Sequence, residues 1–303
     1  MNNKENFKSG FVSIVGRTNV GKSTIINSLL NEKLVIMSDK PQTTRNNIRC
    51  IYTDEEAQII FVDTPGVHRA KNKLSGMMTD MVSGSLLNTD MVVYVVEDDM
   101  HIGKTDQIIL TKLKDINKPV IVLINKADKL SQDEVLFKIN LFKEFDFIND
   151  IIPISALKGK NMELIIPYIK KYLQQGPMYF PQDMITDKPE KFFISELIRE
   201  KALNYLQQEI PHGIAVEILS MKERKGRDLI DIEATIYCDR RSHKSIIIGK
   251  NGSMIKNIGI KAREDIENFL DTKVNLQLWV KVKEEWRDNN TVLKDLGYKD
   301  EVY

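Results

Sequence analysis

The chain has 303 residues, longer than one typical domain of about 100–200, so two domains are expected. Apolar residues make up 42% and charged residues 29%, and 44 basic against 43 acidic side chains leave a net charge of +1. That balance excludes a uniformly basic nucleic-acid coat, so any affinity for a polyanion must sit in a local patch. The two cysteines, Cys50 and Cys238, are too few and too far apart for a disulfide framework or a zinc site.

The N-terminal stretch, residues 1–6, lacks the apolar centre of a secretory signal, and no apolar run approaches the roughly 18–20 residues that span a bilayer. The expected setting is a reducing cytosol. Residues 11–15 are a short apolar run ending at glycine, and 22–30 have helical spacing. Compact β-branched runs recur at 59–62, 92–96, 120–124 and 151–154. Helical stretches fall between or after them at 71–87, 105–116, 133–145 and 163–173. Continuous apolar strands alternating with helices predict an α/β domain over 1–175 with a mostly parallel sheet covered on both faces. Ligands of such sheets bind beyond the carboxyl ends of the strands.

Residues 176–189, with Gly176, Pro177, Pro181 and Pro189, read as a linker. From 190 the order changes: a helix over 190–208, strands over 215–222 and 229–237 joined through Gly226, two helical pieces around 249–252, and a strand over 274–282. Ile232, Ala234 and Ile236 alternate with polar neighbours, as in a half-exposed antiparallel sheet. The order α-β-β-α-α-β predicts an α+β module over 190–303. The end, through Tyr298, reads as a short packed helix and tail.

Gly16-x-x-x-x-Gly21-Lys22-Ser23 follows a strand and opens a helix, the context a phosphate loop requires. Backbone N–H groups there, with Asn19 and Val20 among them, close around phosphate oxygens. Lys22 reaches the β- and γ-phosphates, Ser23 is placed to ligate Mg²⁺, and Thr24 continues the helix start that faces the anion. Asp63-Thr64-Pro65-Gly66 ends the next strand of this kind, where an aspartate holds Mg²⁺ through water and the Gly66 N–H meets the γ-phosphate. Asn125-Lys126-Ala127-Asp128 follows the strand at 120–124. The Asp128 carboxylate only accepts hydrogen bonds, so it suits the N1–H and 2-amino donors of guanine, which adenine lacks. Ser155-Ala156 can bring a backbone N–H to guanine O6. Any one of these segments could be an ordinary turn; their order along the chain points to a GTPase.

In the second module, Gly249-Lys250-Asn251-Gly252 is a Gly-x-x-Gly turn between two helical pieces, as in KH domains, and the α-β-β-α-α-β order matches the type II form. Its glycines allow a close approach to a nucleic-acid backbone. Arg240, Arg241, Lys244, Lys250, Lys256, Lys261 and Arg263 form a basic stretch that no acidic residue interrupts. Most isoleucines of 246–248, and Ile255, are expected in the core.

The nucleotide segments together resemble the translation-factor-related GTPases. The whole chain, with its domain order, resembles the Era family within the TrmE-Era-EngA-like group of bacterial GTPases. The resemblance implies a GTP/GDP switch with Mg²⁺ that binds the 3′ end of 16S ribosomal RNA and acts in 30S subunit assembly. It makes Gln42-Thr43-Thr44-Arg45 the first switch loop, with Thr44 favoured over Thr43 as the Mg²⁺ ligand, and gives Lys22, Thr44 and Gly66 the catalytic positions. Asn19 corresponds to the asparagine that holds K⁺ in potassium-activated relatives, the alternative being a hydrogen bond within the loop. Val67 stands where many signalling GTPases carry a water-orienting glutamine, so slow intrinsic hydrolysis is expected. The Era family is also described as peripheral to the inner face of the cell membrane, although no amphipathic anchor is evident. With no apolar stripe left over, a cytoplasmic monomer is expected. The histidines (His68, His101, His212, His243) read as surface or local structural residues in loops, with His243 able to join the basic patch, and the trio Glu97-Asp98-Asp99 as a solvated loop. Trp279 and Trp286 read as core or edge packing, with stacking on RNA the lesser alternative.

Overall fold

The computed structural model describes residues 6–38, 40, 43–66 and 72–298. The expectations for Gln42, Val67, His68 and the helix start at Lys71 fall outside these residues.

The apolar runs of the first half are buried because both faces of their sheet are covered. Strands β4 (Met91–Val96) and β5 (Val120–Ile124) are buried at every position. Side chains alternate across a strand, so Val93, Val95 and Leu123 enter one core cluster while Val92, Tyr94 and Val122 enter the other. Each fully buried aliphatic side chain of this kind stabilises by roughly 1.5–3 kcal/mol. Strands β1 (Lys8–Val15), β3 (Ala57–Asp63) and β6 (Asp150–Pro153) complete the parallel part of a six-stranded sheet of order β2-β3-β1-β4-β5-β6. The edge strand β2 (Ile48–Thr53) runs antiparallel to β3 and was not foreseen. Helices α1 (Lys22–Leu30), α2 (Lys73–Leu87), α3 (Lys104–Asp115), α4 (Gln132–Lys143) and α5 (Ile165–Tyr172) connect the strands. The segments at 16–23, 63–66, 125–128 and 155–156 all follow carboxyl ends of parallel strands.

The expected linker is a strap fastened to the sheet edge. The buried Gln58 side chain accepts from the backbone N–H groups of Tyr179 and Phe180 at 2.8 and 2.9 Å and donates to the Phe180 carbonyl at 2.9 Å. Ile51 N–H donates to Ile185 O at 2.8 Å, and Arg49 pairs with Asp187 at 3.1 Å.

The second half follows the expected element order: α6 (Glu190–Tyr205), β7 (Ile214–Glu223), β8 (Leu229–Cys238), α7 (Arg241–Ile248), α8 (Ser253–Leu270) and β9 (Lys273–Val282). Its three-stranded sheet is mixed rather than antiparallel. β7 pairs antiparallel with β8, but α7 and α8 form a crossover that returns β9 parallel to β8. Ile232, Ala234 and Ile236 face Ile258, Ala262 and Ile266 in its core. Beyond β9 a helix, α9 (Asn290–Asp295), leads to Tyr298. Trp286, Leu293 and Tyr298 pack with Leu74 and Met78 of α2, so the stretch 286–298 is packed against the first half. Among the described residues, no helix is long and apolar enough to cross a membrane.

Candidate functional site

A cleft of about 430 Å³ lies over the start of α1, and its lining includes Asn19, Gly21, Lys22, Ser23, Thr24, Thr44 and Gly66. Gly21 caps α1 with φ +99°, in the left-handed region, and a Cβ there would lie 2.2 Å from Asn125 Nδ2. Glycine is therefore required for both conformation and space. The helix start carries no side-chain cap and no acidic residue in its first turn, which leaves its N–H groups and partial positive charge to an anion. The buried Lys22 ammonium donates to the carbonyls of Gly16 and Arg17 at 3.2 and 2.8 Å. Burial pushes its pKa down to about 8, opposed by Asp63.

Three oxygens meet below the cleft. Thr44 Oγ1 donates to Asp63 Oδ2 at 3.1 Å, Ser23 Oγ lies 3.4 Å from the same oxygen, and the two hydroxyls are 3.3 Å apart. Burial pushes the Asp63 carboxyl up to about 6, opposed by Lys22, Thr44 and Ser23. Its second oxygen, Oδ1, is buried without a hydrogen-bond partner among the described residues. An all-oxygen set with an unsatisfied buried carboxylate oxygen fits a hard divalent cation such as Mg²⁺. Thr43 is turned away, its hydroxyl donating to Lys40 O at 2.6 Å.

Asn125 ties the base-recognition segment to this loop. Its side chain donates to Val20 O at 2.8 Å and accepts from Ala156 N–H at 3.0 Å. Asp128 is exposed, its carboxylate held below the usual range chiefly by the Ser155 hydroxyl. Lys126 adopts φ +62° and its ammonium pairs with Glu97. Two predicted contacts serve the scaffold by their side chains: Val20 is fully buried in the core, and the Thr64 hydroxyl donates to Ile14 O at 2.8 Å. Pro65 is buried beside Gly66.

The trio at 97–99 lies in the loop after β4, with Asp99 exposed, and its carboxylates also carry ion pairs. Arg17 of the phosphate loop donates to Glu97 at 2.9 Å and pairs with Asp99, and buried Lys138 donates to Asp99 O at 2.6 Å. Arg17 of the phosphate loop and Lys126 make ion pairs with the trio, while Lys138 of α4 holds its backbone carbonyls. His101 is exposed, while His212 and His243 are half-buried, the local structural alternative. Burial, then Arg45, lowers the His212 pKa.

The basic turn is open. Arg240, Arg241, Lys250, Asn251 and Lys256 are exposed, Lys244 is half-exposed, and among the described residues none of these side chains pairs with a carboxylate. Lys261, by contrast, pairs with Glu264 at 2.8 Å. Gly252 caps α8 with φ +77°, again with no side-chain cap and no acidic first turn. A groove of about 300 Å³ beside the turn is lined by Ile255, Lys256, Ile260, Arg263, Leu276 and Leu278. Of the neighbouring isoleucines, Ile247 is fully buried, Ile248 and Ile255 are partly buried against the same core, and Ile246 is 49% exposed. Trp286 packs in the core, and Trp279 on β9 is 40% exposed.

Sequence reasoning missed a seam joining the cleft to the second half. Asn204 of α6 lines the cleft and accepts from Ser38 Oγ at 3.0 Å. Glu200 accepts from Lys33 at 3.0 Å and from Met37 N–H at 3.2 Å. The only local signal is that α6 carries Glu196, Arg199 and Glu200 among apolar residues, and all three are buried.

A phosphate loop, a paired hydroxyl–carboxylate site and an Asn-Lys-x-Asp segment on a parallel sheet define a P-loop GTPase, here followed by a KH module. The family described as "50S ribosome-binding GTPase" matches residues 11–126, and the KH domain family matches 209–287. GTPase Era of Clostridioides difficile (strain 630) is 53% identical over 97% of this chain and 99% of its own length. That of Clostridium kluyveri is 54% identical over 96% and 99%. A crystal structure of Era with MgGDPNP and nucleotides 1506–1542 of 16S ribosomal RNA superposes with a TM-score of 0.93 at 39% identity, covering 96% of this chain and 99% of that one. An Aquifex aeolicus Era variant bound to GDP and AlF4⁻ gives 0.92 at 39% identity over the same shares. The chain belongs to the Era family of GTPases.

Proposed function

We propose that this chain is a GTP-hydrolysing switch that binds 16S ribosomal RNA near its 3′ end and acts in assembly of the 30S subunit. The observation that carries the reading is the convergence of Ser23, Thr44 and Asp63 beneath the phosphate loop, on a chain that also presents an unpaired basic Gly-x-x-Gly turn. The division is 1–175 for the GTPase domain, 176–189 for the strap and 190–303 for the RNA-binding domain, and the working form is a monomer.

Ser23, Thr44 and Asp63 would hold Mg²⁺, which when bound offsets charge on the β- and γ-phosphates. Lys22 exchanges its two carbonyl partners for phosphate oxygens, a charge-assisted replacement. The α1 N–H groups and the Gly66 N–H hold the phosphates in line, and Asp128 selects guanine. With Val67 after Gly66, no side chain at that position orients the attacking water by hydrogen bond, so turnover is slow without help. Asn19 would hold K⁺ beside the phosphates, a reading supported by its position on the cleft lining.

Phosphate release from GTP by the full chain in Mg²⁺ tests the reading. Turnover that Asp63→Asn abolishes is expected, and an inactive wild-type chain would refute hydrolysis. Rates should be higher in KCl than in NaCl; equal rates would remove the role of K⁺.

A further inference from the structure

Thr44 is held between two buried arginines, and both connect it to the second half of the chain. On one side, Arg199 of α6 donates through Nη2 to the carbonyl of Thr43. Arg199 is only 1% exposed, and Glu196 grips its guanidinium, Nε donating at 2.7 Å. On the other side, Arg45 leaves the first domain and plugs into the turn before β7. Its Nη1 donates to Ile214 O at 2.6 Å and its Nη2 to His212 O at 3.2 Å. The guanidinium lies 6.0 Å from the Trp286 ring centroid, and Trp286 in turn donates to Gly213 O at 3.0 Å. The residues before and after Thr44 are thus fixed by the second domain, while Thr44 itself reaches Asp63 in the first.

A threonine on a loop would ordinarily lose entropy in meeting its ligand. Here the two flanking anchors remove that freedom in advance, but only while the domains are docked. We propose that Arg199 and Arg45 are positioning residues for GTP hydrolysis: the second domain holds Thr44 over the Ser23–Asp63 site, and undocking it releases Thr44. This rests on the reading of Thr44 as part of the nucleotide machinery. It makes the RNA-binding domain a component of the first switch, so an RNA that favours one docking geometry changes hydrolysis directly.

The test uses the full chain with Arg199→Ala, Arg199→Lys, Arg45→Lys, Thr44→Ala and the Arg199→Ala/Thr44→Ala pair. Turnover with GTP and the affinity ratio of a non-hydrolysable GTP analogue to GDP in Mg²⁺ are measured for each. Arg199→Ala should lower kcat by about 10- to 100-fold, as for a catalytic group misplaced by about an ångström, with GDP affinity unchanged. Arg199→Lys should restore part of the loss, and Arg45→Lys should lower kcat less than Arg199→Ala does. The double variant should be no slower than Thr44→Ala alone, because both remove the same contribution. A merely structural arginine would instead add its effect to that of Thr44→Ala or lower GDP affinity equally. Additive losses, or wild-type kcat in Arg199→Ala, would overturn the proposal. If Arg199→Ala does not fold, judged by circular dichroism and the loss of a cooperative thermal transition, Arg199→Lys replaces it in the cycle. A wild-type chain without turnover would refute hydrolysis alone, and the affinity ratio would still decide the clamp: it should fall in Arg199→Ala, and an unchanged ratio would overturn it.

Discussion

Two helix starts in this chain are left bare of caps and acidic residues, and they are built on opposite principles. α1 begins at Gly21 and α8 at Gly252, both left-handed, both without a side-chain cap and both free of acidic residues in the first turn. At α1 the cation is inside: Lys22 is 6% exposed and stands over a buried carboxyl. At α8 the cations are outside, on Lys250, Lys256 and, at the start of α7, Arg240 and Arg241. A hypothetical Cβ at Gly21 strikes Asn125, whereas one at Gly252 meets nothing within 4 Å. An enclosed site recognises one ligand by fixed partners. An open one accepts a polymer and draws on counterion release.

That contrast can be broken at several points. Asp128→Ala has the largest expected effect: the discrimination of GTP against ATP, of order 10⁴ for a paired polar site, should vanish in competition binding. Gly21→Ala comes next, with nucleotide affinity down about 100-fold because the loop must shift against Asn125. Lys250→Ala should weaken RNA binding at every sequence tested and reduce the slope of log affinity against log salt by about 1, with nucleotide binding intact. The smallest change is Gly252→Ala, which should cost about 1–2 kcal/mol in denaturant melts, from backbone strain alone. Equal costs for the Gly21 and Gly252 substitutions would erase the distinction between the two sites.

The enclosed site was largely legible in the sequence because its parts are local. The turn at 16–23, the strand ends at 63–66 and 125–128 and the turn at 249–252 each carry their geometry within a few residues. The edge strand β2 was not legible: Arg49 and Tyr52 interrupt its apolar pattern, and its outer edge is completed by the strap, through Ile185. The seam was hidden for a different reason. Arg199 and Thr43 are 156 residues apart, and Arg45 and Ile214 are 169 apart, so no spacing rule reaches them. The partners of the trio at 97–99, Arg17 and Lys138, were not legible because they lie 80 and 39 or more residues away. Buried charge within an otherwise apolar helix, as at Glu196, Arg199 and Glu200 in α6, is the pattern that would flag such a seam.

The central claim is that nucleotide state and RNA binding are coupled through that seam. Its most direct test is the affinity of a labelled single-stranded RNA, copied from the 3′ end of 16S ribosomal RNA, for the full chain at fixed salt. It is measured once with a non-hydrolysable GTP analogue and Mg²⁺, and once with GDP and Mg²⁺. The account predicts tighter binding with the GTP analogue, and a loss of that difference in Arg199→Ala. Equal affinity in the two nucleotide states of the wild-type chain would contradict it.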